Sequence, residues 1–155
     1  MSYCKTCELT SARDSGKAPL WDCIYRANYW DVAHAYNTAL TGWLVLVARR
    51  HVAAIDELTP EEAAELGQLL RLVSVALKEA TGCQKTYVVQ FAEHPEHPHV
   101  HFHLIPRMAN LPEEMRGPRI FAYLGVAEEE RVSETVMNGI AKKVRHVLES
   151  MESGW

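Results

Sequence analysis

The chain has 155 residues, of which 48% are hydrophobic, and its formal net charge is −4; this length and apolar content suffice for one domain with a substantial core. The negative charge argues against a broad basic surface for long nucleic acids, whereas a small nucleotide held in one pocket is compatible with it. The sequence has no run of roughly eighteen apolar residues for a membrane span and no apolar signal-peptide segment, so we expect a cytoplasmic protein.

A C-x-x-C pair, Cys4 and Cys7, lies near the start of the sequence. In a cytoplasmic chain, where thiols stay reduced, such a pair is half of a tetrahedral zinc site or a redox pair. A redox pair belongs at the start of a helix that follows a strand, and no strand precedes Cys4, which favours the metal interpretation. Unmetallated surface thiols are the alternative. The candidate further ligands are His51 and one of His94, His97 and His99.

An antiparallel hairpin is predicted from two apolar stretches. Residues 11–19 are polar and rich in turn formers, which indicates a loop before the first stretch. Strand-like residues extend from Trp30 to Tyr36, and a continuous apolar run of strand length extends from Trp43 to Val47. Because the connection between them is short, we expect the two strands to pair.

The clearest helix signal begins at Thr59. Thr59 occupies an N-cap position, Pro60 the first helical position, and Glu62 completes a capping box. Apolar residues then recur at three- and four-residue steps and form one stripe, which ends at Thr81-Gly82. This helix is therefore expected to lie across the sheet, with its charged face in solvent.

Histidines dominate the next segment. Residues 85–92 have the composition of a strand, and two prolines in residues 93–98 predict a loop. From His99 onward, histidine alternates with apolar residues, so an extended strand would place three imidazoles on one face and the apolar side chains in the core. Imidazoles can act as nucleophile, acid, base or metal ligand near neutral pH. The three histidines are His99, His101 and His103.

The stretch from His99 to Ile105 resembles the His-φ-His-φ-His-φ-φ motif of the histidine triad (HIT) family, and Pro106-Arg107 is also typical of it. Upstream, Gly42 to His51 is similar to the family's glycine, apolar strand, basic pair and histidine. The resemblance covers roughly Cys4 to Arg107, and it is to the bacterial Hint-like or Fhit-like nucleotide hydrolases with an N-terminal C-x-x-C. It implies an α+β fold with a mainly antiparallel sheet and a packed helix, and it implies a homodimer.

The division of the chain follows from this resemblance. We expect residues 1–110 to form the HIT domain with its C-x-x-C pair. Residues 111–155 would add a loop and a C-terminal helix to the same globular unit. Apolar residues at helical spacing between Glu128 and Glu149 predict this helix. Their periodicity leaves open whether the helix packs on the domain or on a second subunit.

The resemblance also implies a reaction. His101 would be the nucleophile that forms a nucleotidyl-histidine on an α-phosphate, with His99 and His103 positioning it and stabilising charge. Water would then release a nucleoside monophosphate from a phosphoramidate or phosphoanhydride, which is expected to be a purine nucleotide or dinucleotide. Two nucleotidyltransferase branches of the family carry glutamine in place of the third histidine, so His103 favours hydrolysis.

Some bacterial members of the family carry zinc on an N-terminal cysteine pair and two histidines. By this resemblance the metal ligands here are Cys4, Cys7, His51 and His99. Such zinc is structural, and no cofactor is expected to be required for catalysis.

Two departures from the family pattern concern the substrate. Trp43 stands where the family usually has a histidine, so that histidine is either missing or supplied from elsewhere, for which His97 is the candidate. Ala35 stands at the position of a ribose-binding carboxylate. The predicted nucleotide-binding residues are Gln90, Asn37 and His97. Two other functions stay open: a nucleotide-binding protein without catalysis, which these departures favour, and a zinc-dependent hydrolase whose strand histidines hold the metal, since a His-x-His pair on a strand is a familiar zinc arrangement.

Overall fold

The computed structural model describes residues 3–152 of the chain. Within this range the backbone forms a five-stranded sheet and three α-helices, with short 3₁₀-helices between them. The strands are β1 (Tyr25–Arg26), β2 (Trp30–His34), β3 (Leu44–Ala48), β4 (Lys85–Val89) and β5 (His101–Arg107), and the helices are α1 (Lys5–Asp14), α2 (Pro60–Thr81) and α3 (Glu134–Glu152). The strand order is β1-β2-β3-β5-β4, and all neighbours are antiparallel. The predicted α+β fold with a packed helix and a C-terminal helix is confirmed.

One face of the sheet carries the main apolar core. Alternate residues of the central strands, among them Leu46 and Phe102, point to this face and are buried. α2 lies against them through an apolar stripe that includes Leu69, Val73 and Leu77. Each fully buried leucine or valine contributes about 2 kcal/mol through the removal of its apolar surface from water.

The ends of α2 are fixed by local hydrogen bonds. The Thr59 hydroxyl accepts from the Glu62 backbone N–H at 3.1 Å, and the Glu62 carboxylate accepts from the Thr59 N–H at 2.8 Å. At the other end, Gly82 closes the helix in the left-handed conformation, with φ of 74°. The capping box and the helix end are therefore as predicted.

The C-terminal helix α3 packs on α2 and on the same core. Its buried residues Ile140, Ala141, Val144 and Leu148 belong to the apolar cluster that also contains α2. The helix begins later than predicted, because residues 128–130 form a separate 3₁₀-helix. No helix within residues 3–152 is long and apolar enough to cross a bilayer.

Helix α1 was not predicted, and residues 11–14 were expected to be a loop. The buried side chains of this helix are polar, namely Thr6, Thr10 and Arg13. Arg13 is held by Asp22 at 2.8 Å and lies 3.6 Å from Asp31. Because ion pairs rather than apolar residues attach α1 to the domain, the sequence lacks the periodicity that reveals an amphipathic helix.

Three strands also differ from the prediction at their ends. β2 ends at His34 and β4 at Val89, whereas strands to residues 36 and 92 were expected. β5 begins at His101, so His99 lies in the loop before the strand rather than within it. Strand ends depend on where the partner strand stops pairing, which a single sequence does not show.

Candidate functional site

The sheet face opposite α2 carries a cavity of about 470 Å³. Val45 and Val47 of β3 and their partners His103 and His101 of β5 face this cavity. Their neighbours along each strand point the other way, into the core against α2. Residues of α1 and of the loop that precedes β5 form the sides of the cavity. The alternation of the histidine-rich stretch therefore separates a polar cavity from an apolar core.

His101 is oriented by a single backbone hydrogen bond. Its Nδ1 lies 2.7 Å from the carbonyl oxygen of His99, and only a protonated nitrogen can donate to that oxygen. In the neutral ring, Nε2 therefore carries a lone pair. Burial lowers the pKa of His101, which keeps the ring neutral near pH 7. The arrangement provides an imidazole nitrogen that is able to act as a nucleophile.

His103 is in the opposite tautomer. The indole N–H of Trp43 donates to His103 Nδ1 at 3.0 Å, so the proton of the neutral ring resides on Nε2. Phe121 contacts both rings edge-on, with centroid distances of 5.2 Å. Burial lowers the pKa of His103 to about 3. The His101 and His103 rings are 5.0 Å apart, so a nucleophilic nitrogen and a hydrogen-bond donor stand side by side.

His97 lies in the cavity wall beside these two rings. Its Nδ1 is 2.7 Å from the Thr6 hydroxyl, its Nε2 is 3.2 Å from the Tyr36 hydroxyl, and its ring is 6.2 Å from that of His101. Burial, followed by the neighbouring His101, lowers the pKa of His97 to about 4. Two hydroxyl groups thus hold another imidazole next to His101.

The other two predicted nucleotide-binding residues lie in different places. Asn37 lines the cavity, and its backbone carbonyl accepts hydrogen bonds from the N–H groups of Gly125 and Val126. Gln90 directly follows β4 and is not among the residues that line the cavity. The structure therefore places His97 and Asn37 in the cavity with His101 and His103, whereas Gln90 does not line it.

His99 points away from the cavity toward the N-terminal cysteines. It is fully buried, and its Nε2 donates to the backbone carbonyl of Ala48 at 2.6 Å, which leaves Nδ1 as an acceptor. This Nδ1 lies 3.1 Å from the Nδ1 of His51 and 3.6 Å from the sulfur of Cys7. The histidine that the motif groups with His101 therefore belongs to a second site.

That second site has the geometry of a tetrahedral metal centre. The ligand atoms of Cys4, Cys7, His51 and His99 all lie within 4.8 Å of one another. Four of the six spacings are 3.1 to 3.7 Å, close to the roughly 3.3 Å between two nitrogens and 3.6 Å between nitrogen and sulfur that Zn²⁺ bond lengths require. Four protein ligands fill a tetrahedral sphere, as structural zinc sites do. The residues therefore fit a zinc ion.

Several cavity residues were not singled out from the sequence. Lys5 and Thr6 are the two residues between the cysteines, and both line the cavity. Because a metal-binding C-x-x-C motif holds in place the two residues that it encloses, the motif itself could have pointed to Lys5 and Thr6. No signal marked His34, which donates to the Ala35 carbonyl and accepts from the Gly42 N–H at 2.9 Å. Arg131 reaches the cavity from the segment before α3, and no motif surrounds it.

Comparison with known proteins agrees with this geometry. Residues 22–110 match the family described as the HIT domain. Among curated proteins, no sequence matches.

Solved structures of similar fold cover most of the chain. A hypothetical histidine triad nucleotide-binding protein from Sulfolobus tokodaii is 15% identical, with a TM-score of 0.70 and 94% coverage of both chains. A Zn-bound histidine triad family protein from Mycobacterium smegmatis is 16% identical, with a TM-score of 0.68 and coverage of 98% of this chain and 97% of the other. A histidine triad protein from Sinorhizobium meliloti is 25% identical, with a TM-score of 0.64 and coverage of 80% and 87%.

These structures establish the fold, and the sequence match extends over more than half of the chain. The matched segment contains the cavity histidines His101 and His103 as well as two of the four grouped metal ligands, His51 and His99. This chain belongs to the HIT domain family.

Proposed function

We propose that this chain is a nucleotide hydrolase that cleaves its substrate at the α-phosphate through a covalent intermediate on His101. Proteins of the HIT family are typically nucleotide-binding hydrolases or transferases. The observation that carries the proposal is the hydrogen bond from His101 Nδ1 to the His99 carbonyl, because it leaves the Nε2 lone pair available beside the cavity.

The proposed reaction has two displacements. In the first, His101 Nε2 forms a bond to the α-phosphorus, and the bond from phosphorus to the leaving group breaks with its electron pair on the leaving group. The Nε2–H of His103 donates a hydrogen bond to a non-bridging oxygen and stabilises the developing charge. In the second, a water oxygen attacks phosphorus, the pair of the P–N bond returns to His101, and the water loses a proton to solvent.

We assign Cys4, Cys7, His51 and His99 as ligands of a structural zinc ion. When bound, the metal would supply a cross-link between the start of α1 and the loop before β5. His99 then has two roles on two atoms: its Nδ1 faces the metal ligands, and its carbonyl oxygen orients His101. The remaining expectations stay predictions, namely a purine nucleotide or dinucleotide substrate, a homodimer, a cytoplasmic location and the division of the chain at residue 110.

The test is intact mass spectrometry after a brief, acid-free quench, because phosphohistidine bonds break in acid. The wild-type protein and His101→Ala are mixed with nucleoside phosphoramidates and with dinucleoside polyphosphates. We expect a mass increase of one nucleotidyl group that the variant lacks, together with loss of turnover in the variant. Undiminished turnover by His101→Ala would overturn the proposal.

A second candidate function is nucleotide binding without catalysis. It is favoured by Trp43, which replaces the expected histidine, and by Ala35, which replaces the expected carboxylate. Under this alternative, nucleotides bind to the wild-type protein in calorimetry, but a broad substrate panel shows neither a covalent adduct nor turnover.

A further inference from the structure

We propose that Lys5 and Arg131 form the binding site for a negatively charged leaving group. The substrate is then a phosphoanhydride, in which the α-phosphate carries a further phosphate-containing group, and not a phosphoramidate. This inference rests on the proposed function, in which His101 attacks the α-phosphate from the same cavity.

Both cations line the cavity, and both lie near the ring of Tyr36. Lys5 Nζ is 4.5 Å from the centroid of the Tyr36 ring, and the guanidinium carbon of Arg131 is 6.0 Å from it. The Tyr36 hydroxyl is 3.2 Å from His97, whose ring is 6.2 Å from that of His101. The two cations therefore line the same cavity as His101, and Tyr36 and His97 lie between them and that residue in this series of neighbours.

The charges of the cavity support an anionic ligand. In the described part of the chain, neither Lys5 nor Arg131 has a carboxylate within 4 Å, so no ion pair neutralises their charges. Glu96 also lines the cavity without pairing with either cation. Among the other charged side chains that line it, Arg13 and Asp22 pair with each other, which leaves two unpaired cations and one unpaired carboxylate facing the cavity.

The chemistry of the two leaving groups separates the two substrate classes. When the bond to a bridging oxygen breaks, the electron pair stays on that oxygen, and the departing phosphate becomes more negative. Fixed cations near that phosphate stabilise the transition state more than the ground state. An amine that leaves from a phosphoramidate must instead gain a proton, so a fixed positive charge stabilises its departure less than it stabilises that of a phosphate.

The metal ligands place one of the two cations. Lys5 and Thr6 lie between Cys4 and Cys7, and both line the cavity, where Thr6 contacts His97 at 2.7 Å. The C-x-x-C segment thus presents its metal ligands to one side and its two enclosed residues to the substrate. This placement links the proposed structural metal to substrate selection.

The test compares two substrates that share one nucleoside, a dinucleoside tetraphosphate and a nucleoside phosphoramidate. Lys5→Gln and Arg131→Gln are each expected to lower kcat/KM for the tetraphosphate about tenfold, since each removes a charge-assisted contact to phosphate. Turnover of the phosphoramidate should change by no more than about twofold. Lys5→Arg should restore most of the loss. The matched controls are Lys17→Gln and Arg71→Gln, which remove the same charges from exposed positions outside the cavity.

Equal losses with both substrates, or no loss with either, would overturn the assignment. If the wild-type protein turns over neither substrate, the proposed hydrolase function fails, and calorimetry with inorganic tripolyphosphate then tests the cationic site by itself. The wild type should bind tripolyphosphate at least about tenfold more tightly than the Lys5→Gln/Arg131→Gln double variant. Identical affinities would contradict the proposal independently of catalysis.

Discussion

The metal-ligand cluster and the cavity use neighbouring histidines in opposite ways. In the cluster, His99 donates from Nε2 to the Ala48 carbonyl and keeps Nδ1 free. In the cavity, His101 donates from Nδ1 to the His99 carbonyl and keeps Nε2 free. In each ring a backbone carbonyl fixes one nitrogen. The other nitrogen faces the metal ligands in His99 and the cavity in His101. The role of a histidine here depends on its backbone partner more than on its place in the motif.

The largest effect on activity and on metal content should come from replacing His101 or His99, one at a time, by asparagine. His101→Asn removes the proposed nucleophile and should lower turnover at least about 10³-fold while metal content stays unchanged. His99→Asn removes a metal ligand and should lose the metal. The measurements are steady-state turnover and metal analysis of both purified variants. If His101→Asn lost metal as readily as His99→Asn, the two histidines would not belong to separate sites.

Removal of the metal should produce the next largest effect. Cys7→Ser weakens the proposed zinc site, and the loss of a structural metal should lower Tm by at least about 5 °C. Because Lys5 and Thr6 are positioned by the same segment, KM for a phosphoanhydride should also rise. Calorimetric melting and kinetics on the purified protein test both effects. Cys23→Ser is the matched control, since Cys23 lies outside the cluster; an equal Tm decrease in both variants would argue against a metal.

Trp43→Phe should have a smaller effect, confined to the cavity. The variant keeps a ring against Phe121 but loses the indole donor to His103 Nδ1. Without that donor, both tautomers of His103 become populated, and we expect kcat to fall about tenfold with little change in KM. Nitrogen NMR shifts of His103 measure the tautomer directly. An unchanged tautomer, or a loss of activity that appears only in KM, would contradict a positioning role for Trp43.

More of the apolar core than of the polar contacts could be predicted from the sequence. The capping box at Thr59 and the apolar stripe of α2 are local patterns, and the structure contains both. α1 escaped prediction because it is held by Arg13 through ion pairs with residues distant in sequence. At Trp43, the sequence showed only that a histidine was absent. The hydrogen bond from the indole to His103 depends on the pairing of β3 with β5, which a single sequence does not specify.

The metal ligands illustrate the same limit. From spacing alone, His94, His97 and His99 were equal candidates for one position, and only the family resemblance selected His99. The structure places His99 with Cys4, Cys7 and His51, while His97 contacts Thr6 and Tyr36 in the cavity. The turn before β5 directs these two nearby histidines to different sites, and that turn is set by tertiary contacts such as the one from the Val100 N–H to the Val52 carbonyl.

The last prediction concerns the pH dependence of stability, and it separates a structural histidine from the functional ones. Burial lowers the pKa of His34 to about 4, whereas an unfolded chain titrates near 6.5. Between these values only the unfolded state takes up a proton at this residue. The free energy of unfolding should therefore decrease as pH falls from about 6.5 to 4, by up to about 1.4 kcal/mol per pH unit.

His34→Gln isolates this contribution, because an amide can still donate to the Ala35 carbonyl and accept from the Gly42 N–H. Denaturant unfolding of the metal-loaded wild type and variant, measured at several pH values, gives the difference between their free energies. Above about pH 6.5 that difference should be constant, and below it the variant should gain stability relative to the wild type. If the free energies of the wild type and the variant stayed parallel down to pH 4, His34 would take up its proton in the folded protein as well. That result would contradict the lowered pKa that we attribute to its burial. The same variant should retain turnover at pH 7, because His34 keeps both ring nitrogens in backbone hydrogen bonds and has neither free for the substrate.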